Sequence, residues 1–429
     1  MQEINIIWFR RDLRLFDNHA LSQIIHDKGK NIYPIFIFDT EITSKLPKND
    51  PRLNFIYDLL NEMQNTFKAF DTNLNISKGK PLDIFTKLSE KFTIRSIYCN
   101  EDYESYGMER DQLISNFAIQ KGIEFKSFQD HLIKKPGSVV KKDGSPYQIY
   151  TPFKKQYLKS LSKFELLEHP VELEKGQFYS QESTFPSLND IDLEESRIKV
   201  PSINNDLDDY EENRNFPGLD KTSKLGAHLR FGSISIRQLF KAHQENDVFI
   251  SELIWREFFI HILFFFPDSA NHCFKSKYEA VLWNNNQDDF KKWCNGLTGF
   301  PMVDAGMREL NTTGFMHNRV RMIVASFLCK HLLIDWRWGE RYFAEKLFDF
   351  ELASNVGNWQ WAAGTGCDAA PYFRVFNPSS QHQKFDPSSD YVNKWVPEWN
   401  DLNYRPMINH DFARKRAINT YKNALQDNL

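Results

Sequence analysis

The residues whose types and spacing could do chemistry cluster in two stretches. The first is Met316-His317-Asn318-Arg319-Val320-Arg321-Met322, at the head of a helical pattern. Val320, Ile323, Val324, Phe327, Leu328 and Leu332 recur at steps of three and four, so one stripe faces a core. Asn318, Arg319 and Met322 fall three and four apart on a neighbouring stripe. An amide, a guanidinium and a thioether on one face serve no purpose in core packing. They suit a site that holds a flat, anionic ligand. The second stretch, Ser354-Asn355-Val356-Gly357-Asn358-Trp359-Gln360-Trp361, adds two tryptophans and two asparagines.

Other candidates are weaker when taken alone. Thr222-Ser223-Lys224-Leu225-Gly226 is a polar loop before a helical segment, where hydroxyls and N–H groups can cradle phosphate or simply cap the helix. Glu252, Trp255, Arg256 and Glu257 interrupt an otherwise very apolar helix. Glu252 and Arg256 are i, i+4 partners, which is also ordinary surface pairing. Arg321 and Asp349 must pair if both are buried, because an isolated buried charge is too costly. Spacing alone does not bring Trp283, Trp336 and Trp359 together; aromatic clusters in helical domains are usually core.

Positioning these groups takes two kinds of architecture. Runs at Ile4–Phe9, Asn31–Asp39, Leu74–Ser77, Ser96–Asn100 and Glu124–Phe128 read as strands. Helical spacing at 51–70, 82–92 and 106–121 separates them, the grammar of a parallel α/β sheet. The first strand is not followed by a Gly-x-Gly-x-x-Gly fingerprint, which excludes a nicotinamide-dependent enzyme of the usual kind. Arg10-Arg11-Asp12-Leu13-Arg14 closes that strand, either to bind a ligand at its carboxyl end or to pair locally. From 133 to 200 the pattern dissolves into turn chemistry, with one helix expected near Phe153–Leu161. Helical spacing then fills 235–244, 248–266, 287–294, 304–310, 316–333 and 339–350. The expected division is an α/β domain over 1–132, a connector over 133–200 and an all-α domain over 201–429.

Composition narrows the function classes. With 41% hydrophobic residues in 429, ordinary cores are expected. A net charge of −3 means that a polyanion would have to meet a local basic patch. The five cysteines (Cys99, Cys273, Cys294, Cys329, Cys367) are scattered and odd in number, which reads as reduced thiols, not a disulfide frame or a zinc site. The apolar run at 260–267 is too short to span a bilayer, and charged residues follow the N-terminus at once. A soluble, cytoplasmic protein is expected.

In order, these motifs resemble the DNA photolyase/cryptochrome family along almost the whole chain. The resemblance is carried by Trp8-Phe9-Arg10-Arg11-Asp12-Leu13-Arg14-Leu15, Thr222–Leu225, Trp255-Arg256-Glu257-Phe258 and Thr298-Gly299-Phe300-Pro301-Met302-Val303-Asp304-Ala305. It continues through Gly314–Arg319, Asn358-Trp359-Gln360-Trp361-Ala362-Ala363 and Asp368-Ala369-Ala370-Pro371-Tyr372-Phe373-Arg374. Within the family the chain is most similar to the class I cyclobutane pyrimidine dimer photolyases of bacteria. The resemblance implies a Rossmann-like α/β antenna domain with a parallel sheet and an all-α FAD-binding domain. It implies reduced FAD as the working cofactor, held at the phosphates by Tyr210, Thr222, Ser223, Lys224, Leu225 and Gly226. Arg321, Asp349 and Glu351 would lie along the flavin, and Asn355 would face its N5. Trp255 and Trp361 would wall a flipped-out dimer, with Glu252 and Asn318 on its base edges and Met322 packed on it. Arg256, Arg319 and Arg374 would face DNA, and Trp359, Trp336 and Trp283 would relay electrons.

The implied reaction is light-driven repair of pyrimidine dimers in damaged DNA by a monomer. A second, antenna chromophore is left open between folate, deazaflavin, flavin and none, because the Asn-Glu pair of folate users is missing at Tyr106-Gly107. A cysteine expected just after Pro267 is out of register at Cys273, and Asn358 stands where a glycine is common. The main alternative is a cryptochrome-type blue-light receptor without repair activity. It would carry an acid at position 355 and often a long C-terminal tail. A (6-4) photoproduct enzyme would want two histidines in the pocket where this chain offers His317, and a single-strand-specific cryptochrome is disfavoured by the Trp255/Trp361 pair.

Overall fold

The computed structural model describes residues 1–181, 184–204 and 206–426. Its strands are β1 (Glu3–Phe9), β2 (Ile32–Asp39), β3 (Asn75–Gly79), β4 (Thr93–Asn100) and β5 (Glu124–Phe128). The principal helices are α1 (His19–His26), α2 (Pro51–Lys68), α3 (Pro81–Lys91), α4 (Ser105–Lys121), α5 (Tyr150–Ser160), α6 (Gly226–Phe231), α7 (Ile236–Ala242) and α8 (Asp247–Phe265). They continue as α9 (Gln287–Cys294), α10 (Pro301–Thr313), α11 (Asn318–Ser326), α12 (Trp336–Lys346), α13 (Leu352–Ala363), α14 (Pro378–Phe385), α15 (Asp390–Trp395) and α16 (His410–Gln426). Two compact units result. One comprises 1–138, 160–200 and 226–245; the other comprises 139–159, 201–225 and 246–429. The connector of the sequence reading is thus divided between the two, and 226–245 groups with the sheet.

In the first unit the five strands are all parallel, in the order β3-β2-β1-β4-β5. Alternation along β1 sends Ile4, Ile6 and Trp8 to one core and Ile7 and Phe9 to the other. α1 and α2 cover the Ile7–Phe9 face through Leu21, Ile24, Leu60 and Phe67; α3 and α4 cover the Trp8 face through Phe85 and Ile114. Both faces are therefore dry, which is why β2 is buried along its whole length. The strand order reverses at β1, so a crevice opens outside the carboxyl ends of β1 and β4.

The second unit is helical. Its core is built on α10 to α13, with Trp293, Met302, Val320, Leu328, Trp336 and Trp359 all but fully buried. α11 starts sharply because His317 accepts from the Arg319 N–H at its N-cap. The helix expected to run unbroken over 316–333 instead passes into a π turn over Phe327–His331. Gly314 and Gly364 end α10 and α13 at positive φ, +69° and +86°, where a side chain would be strained.

Candidate functional site

Two cavities adjoin in the helical unit. The first, about 600 Å³, is lined by α11, α12 and α13: Asn318, Arg321, Met322, Phe343, Leu347, Asp349, Phe350, Glu351, Asn355 and Trp359 among others. The second, about 920 Å³, is lined by Arg214, Glu252, Trp255, Arg256, Phe259, Arg319 and parts of the same wall. Asn318, Met322, Ser354, Asn358 and Trp361 belong to both. The amide and the thioether of the marked face thus stand in the partition between them, and the Arg319 guanidinium lines the second cavity alone.

The first cavity is mostly apolar, with a few directed polar groups. Arg321 donates through Nη2 to Asp349 Oδ2 at 2.9 Å and through Nε to the Met316 carbonyl at 2.6 Å. Asp349 Oδ1 is buried with no partner among the described residues, an acceptor left for a ligand. Asn355 donates its Nδ2 to both the carbonyl and the carboxylate of Glu340, at 3.0 and 2.8 Å. Two acceptors on one side fix the amide's orientation, so Oδ1 is the atom available to accept from a ligand N–H. Burial pushes the Glu340 carboxyl up, and the Asn355 hydrogen bond draws it back.

The second cavity is wetter and more charged. Glu252 is paired with Arg214 at 2.7 Å. Arg214 carries no signal in the sequence beyond its place two residues before Phe216-Pro217. Arg256 grips Glu351 with both Nε and Nη2, each at 3.1 Å, and both side chains are nearly buried. Its guanidinium is therefore committed to positioning Glu351. Arg319 has no acid partner among the described residues: it donates to Asn215 Oδ1 at 2.6 Å and lies 4.2 Å above the Phe385 ring, with Nε unpartnered. Burial first, then the charges of Arg214 and Arg374, push its guanidinium down. Two of the cavity's three arginines are matched by Glu252 and Glu351, so Arg319 is the cation left to meet an anion. Arg374 is exposed.

The remaining sequence candidates, Trp359 apart, lie outside both cavities. Tyr210 is buried, edge-on to Phe249 at 5.5 Å. Thr222 keeps a buried Oγ1 without a partner among the described residues, an orphan hydroxyl in the loop read as a phosphate cradle. Ser223 O accepts from Asn204, Lys224 pairs with Asp220 at 2.8 Å, Leu225 is buried, and Gly226 opens α6. Trp359 lines the first cavity and meets Phe343 and Trp293 edge-on at 4.9 and 6.1 Å. Trp336 is fully buried at the head of α12, and Trp283 is half-buried, edge-on to Tyr421 at 5.9 Å. Among the described residues no two of these three indoles are in ring contact. His317 is taken up as an N-cap, and burial, then Arg321 and Arg319, depress its imidazole to about 4.

Comparison with known proteins decides the family. A family model for the FAD binding domain of DNA photolyase matches residues 249–426, and one for DNA photolyase matches 5–173. The deoxyribodipyrimidine photo-lyase of Vibrio cholerae is 36% identical, over 92% of this chain and 90% of that one. The chain belongs to the DNA photolyase family. Among solved structures, a class III photolyase from Agrobacterium tumefaciens superposes with a TM-score of 0.86 at 31% identity, covering 99% and 98% of the two chains. An archaeal photolyase from Sulfolobus tokodaii with two FAD molecules gives 0.85 at 32%, covering 98% and 100%.

This photolyase therefore carries an FAD-binding domain, and its residues fit that cofactor. The orphaned Thr222 Oγ1 and Asp349 Oδ1, the oriented Asn355 amide and the apolar walls of Phe343, Leu347 and Phe350 are what a flat, anionic dinucleotide needs. The sheet unit has a cavity of its own, about 790 Å³, at the crevice outside β1, β2 and β4. It is lined by Trp8, Phe38, Tyr106 and the arginines Arg10, Arg11, Arg110 and Arg230. Of the two readings of the Arg10–Arg14 turn, local pairing is the one observed, beside a cavity that Arg10 and Arg11 line. Arg10 pairs with Asp111, Arg11 with Asp102 at 3.0 Å, and Arg14 with Asp130 at 2.7 Å, while Arg10 and Arg11 still face the cavity.

Proposed function

We propose that this chain repairs cyclobutane pyrimidine dimers in DNA under blue or near-ultraviolet light. The observation that supports it most is the shared wall: a flavin-type cavity and an aromatic, arginine-rimmed cavity stand back to back. Reduced FAD, held in the first cavity, would supply the light-driven one-electron chemistry that dimer splitting needs. The protein's part is to bind, orient and exclude water. Trp255 and Trp361 wall the dimer's rings. Glu252, steadied by Arg214, and Asn318 reach its base edges, and Met322 packs on it. Arg319 and Arg374 take DNA phosphates. Photolyases are among the enzymes that take the target nucleotide out of the stack, a step that costs least at a damaged pair. Selectivity for a lesion thus needs no sequence readout, and a local arginine group suffices on a chain of net charge −3.

Arg321, Asp349, Glu351 and Asn355 hold the flavin ring, with Tyr210 and Thr222–Gly226 on the phosphates. Arg256 acts through Glu351. Trp359, Trp336 and Trp283 carry electrons inward from solvent in steps longer than ring contact. The cavity of the sheet unit is the place for a second chromophore, with Trp8 and Tyr106 as flat walls and arginines for an anionic group. Asn355 counts against the receptor-only alternative, because an amide stands where that reading wants an acid. His317, spent as a helix cap, counts against the (6-4) alternative. The protein acts on damaged DNA as a monomer, and no helix among the described residues is long and apolar enough to cross a membrane.

The deciding experiment mixes the reduced protein in the dark with an oligonucleotide carrying one thymine dimer, then applies blue light. Absorbance should rise in the intact-thymine band, and Trp255→Ala and Asn318→Ala should abolish most of the rise. A flavin-loaded protein that shows no rise would sink the repair reading and leave the receptor alternative.

A further inference from the structure

Trp255 does not stand alone against the second cavity. Tyr150, on the first turn of α5, lies flat on its indole with ring centroids 3.6 Å apart and planes 8° from parallel. Aromatic pairs left to themselves prefer offset or edge-to-face arrangements at larger separations, so a close parallel stack must be imposed by other restraints. Those restraints are visible. The Tyr150 hydroxyl donates to the Ser251 carbonyl at 2.7 Å, on the turn of α8 that precedes Trp255. The Tyr150 backbone N–H donates to Asp368 Oδ2 at 3.0 Å. Ser251 is itself fixed, its Oγ donating to the Asp247 carbonyl and receiving Lys154 Nζ, one turn along α5. Phe258 closes the edge of both rings, at 5.8 Å from Tyr150 and 5.5 Å from Trp255. Phe259 flanks the indole at 5.4 Å. Tyr150 is buried and does not line the cavity. Nothing in the chemistry of repair requires it.

We propose that Tyr150 is a positioning residue for lesion recognition: anchored at both ends, it sets the plane of the Trp255 indole so that a flipped-out dimer meets a wall already in place. A lone indole on a helix could swing about χ1 and χ2, and ordering it would be deducted from the affinity for the dimer. With Tyr150 stacked behind it, that ordering is complete before the lesion arrives. The segment around Asp368, in the motif Asp368-Ala369-Ala370-Pro371, takes part through its carboxylate.

The inference rests on the repair reading, and the test separates the two. Binding of the FAD-loaded protein is titrated in the dark with a single-dimer oligonucleotide and with its undamaged twin. Tyr150→Leu removes the flat plate and is expected to weaken dimer binding about tenfold, the scale of one lost stacking partner. Binding of undamaged DNA, which depends on the arginines, should stay unchanged. Tyr150→Phe keeps the plate, loses only the Ser251 tether, and should hold discrimination close to wild type. Unchanged discrimination in Tyr150→Leu overturns the proposal, and so does a loss in Tyr150→Phe as large as in Tyr150→Leu. If Tyr150→Leu does not retain FAD, Asp368→Ala removes the acceptor of the second anchor; discrimination should fall there too, and wild-type discrimination overturns the proposal. A wild-type protein that does not distinguish the two oligonucleotides sinks the repair reading itself.

Discussion

At the scale of single residues, two buried polar groups make sharp predictions. Asn355 serves Glu340 with two donor hydrogens. In Asn355→Asp those donors vanish and a second carboxylate faces the first. We expect a loss of about 1–3 kcal/mol in urea denaturation near neutral pH, the cost of buried acceptors left unmet. The loss should shrink as pH falls, because protonating the introduced carboxyl restores one donor towards Glu340; a pH-independent loss would contradict this. Lys330 is the second case. It is 1% exposed, with no carboxylate paired to it among the described residues: Nζ donates to the Ala363 carbonyl at 2.6 Å and stands 3.7 Å over the Tyr421 ring. Burial lowers its ammonium to about 7, Cys329 opposing slightly. The unfolded lysine titrates near about 10.4. Between about 7 and 10 the unfolded chain binds more protons, so folding stability rises with pH there, by up to about 1.4 kcal/mol per unit. Lys330→Met should lack that rise, and melting temperatures of the two proteins at pH 7 and pH 9 will show it. Little of this is legible in the sequence. Its residue type announces Asn355 as chemistry, but Glu340, Arg214 and Tyr150 are surface-like letters until the fold turns them inward.

At the scale of elements, the strands are the most legible. All five runs form strands; the central β1, β2 and β4 are written in apolar letters because both their faces are buried, while the edge strands β3 and β5 are half-buried and more polar. Helices read less well. The eight-residue α1 is too short for its periodicity to stand out, and α13 does not read as a helix even though its residues head the candidates for chemistry. Asn355, Gly357 and Asn358 are poor helix formers. Tertiary contact outweighs propensity: the Cα of Gly357 lies against the Phe259 ring, and that of Gly339 on α12 lies against the Trp359 indole. Gly339→Ala should therefore force those helices apart and cost about 1–3 kcal/mol, with loss of bound FAD on gel filtration. A second element-level device is the buried quartet that ties α7 to the sheet. Arg237 pairs with Asp17 at 2.9 Å and Asp130 at 2.7 Å, and Arg14 pairs with the same Asp130 at 2.7 Å. Removing one cation leaves an uncompensated carboxylate. Arg237→Met should cost about 3–5 kcal/mol in chemical denaturation; a cost under about 1 kcal/mol would show that water reaches the quartet.

At the scale of the whole molecule, acid sensitivity should come early. His169 and His261 are lowered to about 4 and His331 to about 3, burial first in each, alongside His317. Each is neutral when folded and protonated near about 6.5 when unfolded, so stability falls as pH drops from about 6.5 towards 4. Four such groups steepen the slope to as much as about 5 kcal/mol per pH unit at its maximum, against a typical total of about 5–15. A thermal-melt series from pH 7.5 to 5 should show a fall steeper than one proton can explain. The partition between the two cavities has a different consequence. Asn318, Met322, Ser354, Asn358 and Trp361 front both chambers, so what one occupant does to their rotamers the other feels. Thermodynamic linkage makes that influence reciprocal: whatever factor FAD adds to the affinity for a dimer, the dimer must add to the affinity for FAD. If FAD tightens the dimer's hold, lesion-bearing DNA should tighten FAD binding at equilibrium in the dark by the same factor, and a protein stripped of flavin should lose its preference for the lesion before it loses DNA.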